Sequence, residues 1–165
     1  VLWRQILTPV TEQDPVWTLR DYHSPNLLWL GHREGIKRIG LIDFQDAVMG
    51  HPAYDLVSLL QDARLPISEA LEMQLLRAYV DQRRSKQMGF NFRDFVQSYA
   101  ILGAQRATKI LGIFVRLNKR DHKPDYLKHI PHIEAYLIRN LKHPALSALL
   151  DWYQTHLPHI MRSAP

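Results

Sequence analysis

Apolar positions fall into two regimes along the chain, short punctuated runs up to about residue 46 and helical spacing after it. Leu2, Trp3, Ile6 and Leu7 recur at i, i+1, i+4 and i+5, which predicts the last turns of an amphipathic helix over 1–8, ended by Pro9. Thr11-Glu12-Gln13-Asp14-Pro15 is polar and turn-prone, and 16–19 reads as a short extended lead-in. The runs at 26–30 and 38–42 are separated by Gly31-His32-Arg33-Glu34-Gly35, a hairpin signal. Antiparallel pairing there would set Asn26, at the start of one strand, beside Asp43, at the end of the next.

After Asp46 the pattern is helical throughout. Leu56, Val57, Leu59 and Leu60 predict a buried helix over 53–63, with Pro52 favoured at its start. Ser68 suits the N-cap of a helix running to about Arg84, whose terminal Arg83-Arg84-Ser85-Lys86 complements the helix dipole. Gly89 breaks the pattern. A long helix starts at Asn91 or Arg93 and reaches Leu117, and 118–124 reads as a surface loop. Two more helices are expected over about 125–141 and 144–157. Trp3, Trp17, Trp29 and Trp152, spread over separate elements, read as core.

Two acidic motifs flank the hairpin. The first is Leu19-Arg20-Asp21-Tyr22-His23-Ser24-Pro25-Asn26. The second is Ile39-Gly40-Leu41-Ile42-Asp43-Phe44-Gln45-Asp46, followed by His51-Pro52-Ala53-Tyr54-Asp55-Leu56. Phosphoryl transfer from a metal-bound nucleotide needs an aspartate to orient the acceptor hydroxyl and take its proton, and an amide oxygen and a second carboxylate for magnesium. Asp21, Asn26 and Asp43 supply these groups in the order and spacing of the kinase R-D-x-x-x-x-N loop and D-F motif. Asp21 and Asp43 also suit loop caps and turns.

This run is similar to the aminoglycoside phosphotransferase and choline kinase-like family. The resemblance implies the C-terminal lobe of the protein-kinase-like fold, mainly α with a small β-hairpin (α+β). Residues 1–165 would form one domain, with the catalytic loop and hairpin at 19–46 and a helical substrate-binding part at 52–157. It implies Asp21 as catalytic base, Asn26 and Asp43 as magnesium ligands, His23 and Asp55 as supports of the catalytic loop, and ATP and Mg2+ as cofactors. Leu19 and Arg20 replace the family's frequent His and Gly, and Gln45 stands where protein kinases have the Gly of D-F-G; both argue against a protein kinase. Neither G-x-G-x-x-G nor a V-A-I-K-like strand occurs, and only 20 residues precede Asp21. The nucleotide-binding N-terminal lobe is therefore expected to be missing from this chain, leaving the fragment inactive alone, with an apolar face exposed where that lobe docks.

A narrower likeness covers roughly residues 1–160. Trp29-Leu30, Gly40-Leu41-Ile42-Asp43-Phe44-Gln45-Asp46-Ala47, Leu59-Leu60-Gln61-Asp62-Ala63-Arg64 and Gly103-Ala104-Gln105-Arg106 resemble the bacterial anomeric sugar kinases of cell-wall recycling. That implies an amino-sugar acceptor, N-acetylmuramate or N-acetylglucosamine, and a cytoplasmic setting. Asp46, Arg64, Gln105 and Arg106 are the candidate substrate contacts, the arginines as bidentate partners of a carboxylate. The small residue Gly103 suits either a pocket or close helix packing.

Composition narrows the remainder. With 165 residues, 46% of them apolar, the chain can bury a core. It has no cysteine, which excludes disulfides and thiolate metal sites. The net charge of +5 suits an anionic nucleotide but is common in ordinary domains. No apolar run approaches the ~18 residues of a membrane span, so no membrane partner is expected. His129 and His132 have only i, i+3 spacing and no H-E-x-x-H occurs, which argues against zinc. The basic clusters at 83–86 and 116–123 lack interleaved aromatics, so no nucleic acid is expected. The competing readings are another small-molecule kinase (aminoglycoside, choline or homoserine-type acceptor), a catalytically silent binding module of the same fold, and a basic RNA- or partner-binding helical domain.

Overall fold

The computed structural model describes residues 1–162. Its strands are β1 (Val16–Thr18), β2 (Leu27–Trp29), β3 (Ile39–Leu41) and β4 (Val48–Gly50). Its α-helices are α1 (Leu2–Thr11), α2 (Ala53–Leu60), α3 (Glu69–Lys86), α4 (Phe92–Asp121), α5 (Ile130–Leu141), α6 (Ser147–His156) and α7 (Pro158–Arg162). The hairpin expected from the two apolar runs forms as β2–β3, with Leu27 opposite Leu41 and Trp29 opposite Ile39. A second antiparallel ribbon pairs β1 with β4, Val16 opposite Gly50 and Thr18 opposite Val48. The expectation of helix immediately after Asp46 is thus corrected. A three-residue strand with a distant partner shows no alternation to read. Glycine suits that pairing: a Cβ at Gly50 would lie 2.9 Å from Thr18 Oγ1.

The helices begin where their caps are. Ser68 Oγ accepts from Leu71 N at 3.3 Å, and Asn91 Oδ1 accepts from Arg93 N and Asp94 N at 3.0 and 3.3 Å. From Asn91 starts α4, whose 30 residues span about 45 Å. It is the spine against which α2 and α5 pack, with Val57 and Leu60, Ile101 and Ala104, and Leu137 and Leu141 all buried. A Cβ at Gly103 would come within 2.5 Å of Asn140 Nδ2, so this small residue serves the α4–α5 packing. Asn140 and Gln61 exchange amide hydrogen bonds at 2.8 and 3.2 Å. Beside them Glu72, 1% exposed, accepts from Gln61 at 2.9 Å, from Tyr99 Oη at 2.8 Å and from Arg139. Each polar group in this buried knot has a partner, the condition for its stability.

Four local expectations are corrected. Pro9 lies inside α1, which runs on to Thr11: the ring removes one backbone donor, while Glu12 N still reaches Thr8 O and buried Val10 anchors the last turn. The helix α2 stops at Leu60 rather than at 63, because the Asp62 carboxylate captures the next amides of the chain, those of Arg64 and Leu65. At the far end α4 continues to Asp121 before His122 turns left-handed, so most of the expected loop is helix. Trp3 packs against the core, but Trp17 and Trp29 are 73% and 68% exposed and Trp152 is exposed too. Alternation explains Trp17, since Thr18 takes the inward position of β1. Trp29 stands on the hairpin with Arg38 stacked 5.6 Å over its ring. Ile36, Phe44 and Met49 are likewise exposed, so the ribbons present an open apolar face.

His51 joins three helices in a fixed tautomer. Its Nδ1 accepts from Ala53 N at 3.1 Å, so Nε2 carries the proton and donates to Gln13 Oε1 at 2.8 Å; Gln13 in turn donates to Ser98 at 2.9 Å. Burial foremost, and Arg83 nearby, lowers its pKa to about 4. With the folded value below the unfolded 6.5, the contribution of neutral His51 is complete above pH 6.5 and is lost as pH falls toward 4. Urea unfolding should show stability falling across that window, and His51→Asn should flatten the fall. An identical slope in wild type and variant would contradict the assignment.

Candidate active site

The loop at 19–26 is shaped from below by two carboxylates. Asp55, in the first turn of α2, accepts from Leu19 N at 2.7 Å and from Arg20 N at 3.0 Å. The left-handed φ of +70° at Arg20 is costly for a non-glycine residue, and that clamp holds it. Asp62, just past the end of α2 and 1% exposed, accepts from Ser24 N at 3.0 Å and Ser24 Oγ at 2.8 Å. It also accepts from Arg64 N at 2.8 Å and Leu65 N at 3.3 Å. Burial raises the Asp55 pKa, and the two amides offset this only in part. Burial pushes Asp62 up as well, but its four hydrogen bonds outweigh it and the net shift is downward.

Between the clamps the loop presents Asp21, whose carboxylate is exposed and accepts no hydrogen bond from the described residues. Asn26 closes the loop: its Nδ2 donates to Asp21 O at 2.9 Å and to Asp43 Oδ2 at 3.2 Å. Asp43 reaches this position because Ile42 N bonds Asn26 O at 3.2 Å, prolonging the hairpin, and because its own φ is +59°, a conformation aspartate tolerates. Gln45 donates to Asp43 Oδ1 at 2.6 Å. With both Nδ2 protons of Asn26 committed, Oδ1 is the atom it has left to offer a metal, beside a carboxylate whose oxygens keep free lone pairs. Two hard oxygen ligands fit Mg2+, which is commonly held by one or two protein groups together with waters and substrate phosphates.

The remaining candidates lie around this centre. His23 is half-buried with its Nδ1 unpartnered, and its pKa is lowered by burial and by the charges of Arg64 and Arg106. Asp46 is exposed in the turn before β4 and takes no part in the bonds that join Asp21, Asn26 and Asp43. Arg64 is exposed, Gln105 is half-buried, and Arg106 is buried beside Tyr54. His129 and His132 pack with Phe114 and Tyr136 in an aromatic row. Sequence reading gave no role to Asp62 or to the side chain of Gln45. A carboxylate seven residues after Asp55, inside an otherwise apolar run, was the available signal for Asp62.

Residues 1–88 match the phosphotransferase enzyme family, and the chain belongs to that family. Over 160 residues it is 41% identical to an N-acetylmuramate/N-acetylglucosamine kinase of Caulobacter vibrioides, covering 94% of this chain and 43% of that protein. A protein of the same name from Neisseria meningitidis serogroup B is 36% identical over 144 residues, 84% of this chain and 42% of its own. One from Pseudomonas aeruginosa is 32% identical over 143 residues, 82% and 40%. The chain thus spans about two-fifths of the length of the curated relatives it matches.

Removing the Asp62 carboxylate strips four hydrogen bonds from a charged acceptor. Asp62→Ala should cost about 2–3 kcal/mol in urea unfolding. It should also accelerate hydrogen exchange at the Ser24 amide more than at Leu19, which Asp55 holds. Equal protection of Ser24 in both proteins would count against the clamp.

Proposed function

We propose that the protein is an ATP- and Mg2+-dependent kinase that phosphorylates a hydroxyl of an N-acetylated amino sugar, N-acetylmuramate or N-acetylglucosamine, at the anomeric position. The observation that carries this is the linkage of Asp21, Asn26 and Asp43 through the Asn26 amide. Family membership and the kinase-named relatives support it. In this reading Asp21 accepts a hydrogen bond from the acceptor hydroxyl, orients it for in-line attack on the γ-phosphorus of ATP and takes its proton as the new O–P bond forms and the bond to the departing ADP oxygen breaks. Exposed and free of other partners, the Asp21 carboxylate is available for that contact. Asn26 Oδ1 and the Asp43 carboxylate would hold magnesium, and Gln45 keeps the Asp43 carboxylate in its rotamer. When bound, Mg2+ supplies charge neutralisation to the phosphate oxygens. Asp55 and Asp62 do no chemistry; they fix the loop so that Asp21 needs no rearrangement to act.

The open apolar face around Trp17, Trp29, Phe44 and Met49 is, on the same reading, where a nucleotide-binding lobe docks. No described helix is long and apolar enough to cross a membrane. A place in cell-wall recycling and a cytoplasmic setting accompany the amino-sugar reading.

In the full-length protein Asp21→Asn should lower turnover at least about a hundredfold while leaving nucleotide affinity close to wild type. Asp43→Ala should instead weaken magnesium-dependent nucleotide binding, read by calorimetry. Near-normal turnover in the Asp21 variant would remove that residue from the role of base.

A further inference from the structure

Arg106 occupies an unusual position for an arginine. It lies on α4, is 6% exposed, and makes no hydrogen bond or ion pair with any described residue. Its Nε is buried and unpartnered, and its one directional contact is the Tyr54 ring, 6.0 Å from Cζ. Of its three guanidinium nitrogens only Nε is closed off, so Nη1 and Nη2 keep a small opening to solvent through which an acceptor can reach them. The nearby carboxylates take their hydrogen bonds from other groups: Asp62 from Ser24, Arg64 and Leu65, Asp55 from the Leu19 and Arg20 amides, and Glu72 from Gln61, Tyr99 and Arg139. Arg106 nevertheless lies near the support of the 19–26 loop: it packs by the Tyr54 ring, and the adjoining residue Asp55 holds the Leu19 and Arg20 amides. His23, within that loop, offers a second buried nitrogen without a partner, Nδ1. With Tyr54 beneath it, an arginine so placed is held ready for an anion that the protein itself does not supply.

We infer that Arg106 is the acceptor-specificity residue of this site, receiving a carboxylate of the substrate in a paired, charge-assisted contact. The inference rests on the amino-sugar kinase reading. N-Acetylmuramate carries a lactyl ether ending in a carboxylate, whereas N-acetylglucosamine presents a neutral hydroxyl there. A planar fork of donors matches a carboxylate bidentately, and an ammonium does not. Arg106 therefore separates the two sugars by charge. Arg64, two residues past Asp62, is exposed. If Arg106 served only to balance Asp55, it would affect both sugars alike.

The test compares wild-type full-length protein with Arg106→Lys and Arg106→Met, using both sugars at saturating MgATP. The kcat/KM ratio of N-acetylmuramate to N-acetylglucosamine should fall about ten- to a hundredfold in each variant. N-Acetylmuramate should raise the melting temperature of the wild type more than N-acetylglucosamine does, and Arg106→Lys should abolish that difference. Arg106→Met should melt close to the wild type, because no hydrogen bond or ion pair with a described residue is lost. Equal losses for the two sugars, an unmoved ratio, or a marked drop in the melting temperature of the Met variant would each overturn the inference while leaving the kinase reading intact. Wild-type protein that phosphorylates neither sugar would overturn the amino-sugar reading, and this inference with it.

Discussion

Two carboxylates at the two ends of one short helix decide the shape of the loop that carries the proposed chemistry. Asp55 grips the backbone where Arg20 turns left-handed, and Asp62 grips it at Ser24. Neither has a cationic hydrogen-bond partner; both are satisfied chiefly by amide N–H groups, which fix backbone geometry more tightly than a flexible lysine or arginine would. Because α2 is itself packed on α4 through Val57 and Leu60, the loop inherits the rigidity of the helical core. Asp21 can then stand exposed without being mobile in the sense that matters, since the backbone on both sides of it is tied down.

The opposite wall is built more lightly. Asp43 arrives on a hairpin of three-residue strands and is held by Asn26 and Gln45. The apolar side chains of both ribbons face outward, so little of their stability comes from burial. A rigid proposed base on the helical side and a more lightly built proposed metal side suit a reaction in which the nucleotide brings its own charge and ligands to the second half of the site.

How much of this was legible follows from the range of each interaction. Asn26 and Asp43 are coupled by a local hairpin, and glycine-bounded apolar runs announce hairpins, so their adjacency could be read from sequence. The N-caps at Ser68 and Asn91 are local too and lay in plain view. Asp62 was hidden because the partner it clamps, Ser24, is remote and its neighbours Leu59, Leu60 and Ala63 suggested only buried helix. The strand β4 escaped for the same reason, its partner β1 lying far upstream. Trp17 and Trp29 were not legible as exposed, because their spread over separate elements suits a core equally well, whereas an uncovered ribbon leaves one face of each strand to solvent.

On the proposed function, the Asp55 clamp is what makes the loop competent. Asp55→Asn keeps the shape of the side chain but turns an NH2 toward one of the two amides it now accepts from. In the full-length protein this variant should lose at least about tenfold in turnover with an unchanged KM for nucleotide, together with faster hydrogen exchange at Leu19 and Arg20 and an intact helical circular dichroism spectrum. Wild-type turnover alongside deprotected Leu19 and Arg20 amides would contradict the claim directly, since the loop would then act without the interaction said to shape it.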